Sequence, residues 1–178
     1  MTVVGGNSSD GAAYAPTALR AGRHMLRDLP ISDFSNYTFI DMGSGKGRML
    51  LLAAELPFRR IIGVEFASEL HALAARNVKD YRNGRQVCFQ IEPVNVDAAQ
   101  YEFPIEPLLL YFFYPFHKLL MERVIQNLGR SLAQQPRDVI LVYHNPVLSD
   151  VVEASDHLKL WARKRHFSVH YSIYRSIR

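Results

Sequence analysis

Strand-like and helix-like segments alternate along this chain, and that order constrains the fold more than any other feature. Short runs rich in β-branched and aromatic residues fall at Tyr37–Ile40, Ile61–Glu65, Gln86–Glu92, Leu108–Phe113 and Asp138–Tyr143. Helical periodicity fills the gaps. Arg48–Leu56 stops at Pro57. Ser68 is expected to cap a helix carrying Leu70, Leu73, Ala74 and Val78. Lys118–Leu132 places Leu120, Val124 and Leu128 on one stripe, and a short helix covers Ser149–Asp156. A leading helix starts at Pro16, repeats Leu19, Gly22, Leu26 and Leu29, and ends at Pro30. Leu158 to Ile177 reads as two final strands. Five strand–helix alternations with right-handed crossovers predict an α/β fold. It is a doubly wound, mostly parallel seven-stranded sheet with helices on both faces and the last strand antiparallel. Such sheets bind ligands at the C-terminal ends of their strands, so the residues just after each strand are the candidates for chemistry.

The 178 residues suit one domain. Residues 1–13 are rich in Gly, Ser and Ala and are expected to be flexible, leaving 14–178 as the domain. A lone cysteine, Cys88, excludes an internal disulfide framework. No metal-ligand set is expected among the seven histidines. No apolar run is long enough to span a membrane, and the first residues do not have the order of a signal peptide, so a cytoplasmic protein is expected. The net charge of +4 is uneven. Six basic residues and no acid fall between Lys159 and Arg178. They either guard a sheet edge or form a polyanion-binding patch.

After the first strand comes Asp41-Met-Gly43-Ser44-Gly45-Lys-Gly47. Alternate glycines let the backbone turn sharply and approach a ligand closely. A dinucleotide fingerprint needs a small residue where this chain has Arg48, and the P-loop pattern is absent.

The remaining pattern, an acid followed by three alternate glycines, resembles motif I of the class I S-adenosylmethionine-dependent methyltransferases. The likeness extends over Tyr14-Ala-Pro16-Thr17, over Phe39 to Arg48 with Leu51, Ala53 and Ala54, and over Ile62-Gly-Val-Glu65. In that stretch the chain is similar to small bacterial methyltransferases and to the seven-strand protein-lysine methyltransferases. The resemblance implies S-adenosylmethionine as the methyl donor. Gly43, Ser44, Gly45 and Gly47 would admit its amino-acid moiety, with Asp41 toward the ammonium. Glu65 would take the ribose hydroxyls, Phe66 would lie near the adenine, and Asp97 and Ala98 would hold the adenine edge. Tyr14 and Thr17 match a segment that closes over the cofactor, and Phe113 is expected in its wall.

Tyr111-Phe-Phe113-Tyr114-Pro115-Phe116 stands where the family's motif IV would be. Enzymes that methylate exocyclic amino groups or glutamine carry Asn or Asp where this chain has Tyr114. A phenol hydrogen-bonds but does not mimic an amide or carboxylate, so Tyr114 is the candidate catalytic residue for a different acceptor. Tyr114 and Phe116 are expected to face the site, and Phe112 and Phe113 to lie in the strand. His144 and Asn145, after the fifth strand, either act on substrate as base and orienting group or cap the loop. The acceptor is a protein lysine by the resemblance, or a nucleic acid by the basic C-terminal end. A non-catalytic S-adenosylmethionine-binding or interaction module is the alternative to an enzyme.

Overall fold

The computed structural model describes residues 18–113, 116–166 and 168–177. Tyr14, Thr17 and Tyr114 lie outside them. The sheet is built from β1 (Thr38–Met42), β2 (Arg60–Glu65), β3 (Ile91–Asn95), β4 (Leu108–Phe113), β5 (Val139–His144), β6 (Leu158–His166) and β7 (Val169–Ser176). Their order is β3-β2-β1-β4-β5-β7-β6. Only the pairings of β7, with β5 and with β6, are antiparallel. The expected sheet, with its antiparallel last strand, is what forms.

The helices are α1 (Leu19–Arg27), α2 (Arg48–Ala53), α3 (Ser68–Asp80), α4 (Lys118–Gln134) and α5 (Ser149–Glu153). Two apolar layers sandwich the sheet. On one face α1 and α2 bury Met25, Leu26, Leu50 and Ala53 against Phe39, Ile61, Leu109, Tyr111 and Ile140. On the other, α4 sets Met121, Val124 and Leu128 against Ile40, Ile62, Leu110 and Leu141. The helical stripe and the strand alternation meet at these layers. Each fully buried Leu or Ile contributes roughly 1.5–3 kcal/mol relative to exposure.

Two expectations are corrected. The third strand is Ile91–Asn95 rather than Gln86–Glu92. The Val87 and Cys88 N–H groups turn away to donate to the Ala54 carbonyl, leaving Val87 and Phe89 exposed. Ser68 does not cap α3; Ala67 holds the cap position and makes no side-chain cap bond. The Glu65 carboxylate accepts the Ala67 N–H instead, so an acid on the preceding strand satisfies a donor at this helix start.

Candidate cofactor site

Switch point and glycine loop coincide. β1 pairs with β2 on one side and β4 on the other, so the chain after β1 emerges where the strand order reverses. Gly43, Gly45 and Gly47 have φ of 84°, 54° and 80°, the left-handed region that side chains disfavour. The Gly43 and Ser44 N–H groups donate to the Val64 carbonyl at 2.9 and 3.0 Å, which folds the loop back over β2. Gly63 lies beneath it. A β-carbon there would stand 2.6 Å from Leu50 Cδ1 and 2.8 Å from Ser44 Oγ, so only glycine lets the loop settle.

Two acids face this loop. Glu65, at the end of β2, is 5% exposed. One carboxylate oxygen accepts the Gly45 N–H at 2.8 Å and the other the Ala67 N–H at 2.9 Å. Desolvation raises its pKa while these bonds oppose the rise. A carboxylate offers about four acceptor positions, so the backbone donors from Gly45, Ala67 and Phe66 leave room for a hydroxyl. Asp41, in the last turn of β1, is also 5% exposed and has no hydrogen-bond donor among the described residues. Burial, and secondarily the charge of Glu65, push its carboxyl up to about 8. Its ionised form therefore calls for a cation from outside.

On the β3 side, Gly43, Val64, Phe66, Val96, Asp97, Ala98, Phe116 and Leu120 line a narrow slot of about 10 Å³. A flat ring enters only by lying across its mouth or spreading Phe66 and Phe116. Phe116 is 4% exposed and meets Phe112 edge-on, so it is both core and slot wall. Asp97 accepts the Ala99 N–H at 2.9 Å and caps a single turn over Ala98–Gln100. The structure thus brings Gly43, Phe66, Asp97 and Ala98 to one slot and sets Asp41, Ser44, Gly45, Gly47 and Glu65 around the adjoining loop.

Phe113 lies elsewhere. Its ring stacks on His144, centroids 4.0 Å apart and planes at 8°. The His144 Nδ1 is 2.8 Å from the Tyr111 hydroxyl. Burial alone drives the His144 pKa down to about 4, so the ring is neutral near pH 7. Asn145, just after it, has a φ of 52° and carries the chain away from the sheet. A wider groove of about 690 Å³ separates α4 from α5, between Lys118, Arg130, Asp150 and His157. It touches none of the loop residues and has no comparable set of buried acids, so the smaller loop site is the one with chemistry.

Two buried carboxylates, one of them strutted by backbone N–H groups, thus stand beside a narrow, largely apolar slot. Among the described residues no three His, Cys, Asp or Glu gather to hold a metal ion. No helix among them is long and apolar enough to cross a membrane.

Sheet order and loop together define the fold of the class I methyltransferases. No protein-family model and no curated protein sequence matches the chain. Solved structures do. The precorrin-6y C5,15-methyltransferase of Geobacter metallireducens GS-15 superposes with a TM-score of 0.64 at 14% identity, over 96% of this chain and 95% of that one. An RNA methyltransferase from Salinibacter ruber, in complex with S-adenosyl-L-homocysteine, gives 0.52 at 19% identity over 91% and 92%. A ribosomal protein methylase from Lactobacillus delbrueckii subsp. bulgaricus gives 0.59 at 13% over 90% and 77%. At these identities the likeness is one of fold. The acceptors named for these proteins differ, so the fold does not select the acceptor.

Proposed function

We propose that this protein is an S-adenosylmethionine-dependent methyltransferase. The observation that carries the reading is the orphaned Asp41 carboxylate beside the three positive-φ glycines, one strand from Glu65. Asp41 and the loop would hold the methionine end, Glu65 the ribose, and the slot between Phe66 and Ala98 the adenine. The donor supplies a methyl group on a sulfonium, already electrophilic. The protein's part is then alignment and exclusion of water.

A protein lysine is the acceptor we favour. The resemblance points there, and the ion pairs of the C-terminal hairpin weaken the case for a polyanion. Arg163 pairs with Glu153 at 2.6 Å, Lys164 with Asp28 at 2.8 Å and Arg175 with Asp138 at 2.9 Å. Much of the surplus that suggested a polyanion is thus matched by acids from α5, from the residue after α1 and from the approach to β5.

Isothermal titration with S-adenosylmethionine, NAD and ATP tests the cofactor. Binding of NAD without binding of the methyl donor refutes the reading. Glu65→Ala should weaken the donor by ~2–4 kcal/mol, the scale of charge-assisted hydrogen bonds. A filter assay with labelled donor on protein and RNA fractions tests the acceptor. Label in RNA alone would overturn the lysine assignment, and no label in either fraction would favour the non-catalytic module.

A further inference from the structure

Helix α3 carries a polar group to the glycine loop that the sequence pattern did not single out. Ala74 lies against Gly47, 3.3 Å from where a β-carbon would stand. Asn77 donates its side-chain N–H to the Lys46 carbonyl at 2.9 Å. Residues three apart share a helical face, so one stripe of α3 packs on the loop and His71 begins it. The His71 Nδ1 is buried and has no hydrogen-bond partner. The His71 N–H donates to the Ala67 carbonyl, and the Ala67 N–H to the Glu65 carboxylate, each at 2.9 Å, so His71 lies one helical turn from that acid. A buried ring nitrogen without a partner carries a desolvation cost that a ligand hydroxyl removes.

We propose that His71 is a ribose-recognition residue, its Nδ1 and the Glu65 carboxylate together engaging the vicinal hydroxyls of an adenosyl ligand. The proposal rests on the adenosyl reading above. The chemistry suits the pair. A carboxylate only accepts, whereas an imidazole nitrogen accepts or donates according to tautomer, and a hydroxyl is both donor and acceptor. Two adjacent hydroxyls therefore find complementary partners on two elements, β2 and α3, that the loop already holds together. A ligand lacking those hydroxyls leaves Nδ1 as it is in the free protein.

Calorimetric titration with adenosine and with 2′,3′-dideoxyadenosine tests this without any turnover. His71→Ala should weaken adenosine by about five- to tenfold, the scale of one hydrogen bond, and leave dideoxyadenosine unchanged. His71→Asn, which keeps a side-chain N–H and C=O, should recover part of the loss and serves where the alanine variant does not fold. Equal losses for both nucleosides, or no loss for either, overturn the proposal while the adenosyl reading stands. Wild-type protein that binds neither adenosine nor S-adenosylhomocysteine overturns both.

Discussion

Asp41→Asn separates what the site costs the fold from what it gives the ligand. The wild-type carboxyl sits at about 8, against an ordinary 3.8, chiefly because it is buried. Its folded value lies above its unfolded value, so the folded chain holds the proton more tightly. The stabilisation from that proton is complete below about pH 4 and is lost as pH rises through 8. The difference corresponds to on the order of 5 kcal/mol between the two ends of the window. Asparagine keeps the shape and carries no charge. Guanidinium unfolding at pH 5, 7 and 9 should show the variant gaining on wild type as pH rises, by roughly 3–5 kcal/mol at pH 9 relative to pH 5. His144 does not blur this comparison above pH 7, because its own transition lies lower. The same substitution should weaken S-adenosylhomocysteine, which carries an ammonium, and leave 5′-deoxyadenosine unaffected. A stability difference that is the same at every pH would refute the reasoning, since it would mean that the carboxylate is already compensated.

Two further substitutions probe the frame around the site. His144→Phe should keep the stack on Phe113 but remove the hydrogen bond between the His144 ring and the Tyr111 hydroxyl, costing about 1 kcal/mol at pH 7. The wild-type imidazole is held neutral, at about 4, so its contribution is present above its unfolded value near 6.5 and fades as pH falls through 4. The variant's deficit should therefore shrink between pH 7 and pH 5 in chemical melts; a deficit that widens on acidification refutes the assignment. Gly63→Ala forces a β-carbon to within 2.6 Å of Leu50 Cδ1 and 2.8 Å of Ser44 Oγ. We expect a loss of about 1–3 kcal/mol in a thermal melt and weaker binding of S-adenosylhomocysteine, because the loop has to lift. A melt unchanged from wild type would show that the loop is loosely seated.

What the sequence disclosed follows from what is local. Strand, turn and helix are short-range patterns, and three glycines at alternate positions mark a backbone that must reach φ > 0 whatever surrounds it. Where the third strand starts is not local. Val87 and Phe89 alternate as a strand residue should, yet they face solvent, and pairing begins only where Ile91 meets Ile61. The start of α3 likewise belongs to Glu65, whose carboxylate takes the Ala67 N–H, so the serine at the first helical position is left over as a cap. His71 escaped notice because a helix face read for its leucines says nothing about what polar groups it meets. The pairing of the basic hairpin is not local either. Its acid partners come from α5, from the chain after α1 and from the approach to β5, and no spacing rule links Lys164 to Asp28.

One row across the C-terminal edge of the sheet sets an acidic side against an aromatic one. Glu65 pairs in register with Asn95. On the other side of the loop, Phe113 pairs with His144, His144 with Tyr171, and Tyr171 with Lys164. Neighbouring strands are about 4.8 Å apart, so Phe113 on β4 is roughly 10 Å from Glu65 on β2. Acid lies on one side of Gly43 and neutral aromatic surface on the other. On the proposed function, an adenosyl ligand would meet Asp41 of β1 and Glu65 of β2 on the acid side. On the β4–β5 side His144, neutral near pH 7, adds no charge to the aromatic surface. The fold carries an uncompensated Asp41 at a position where an apolar residue would stabilise it more. Such a carboxyl raises the energy of the free protein when it ionises and is stabilised only by a cation beside it.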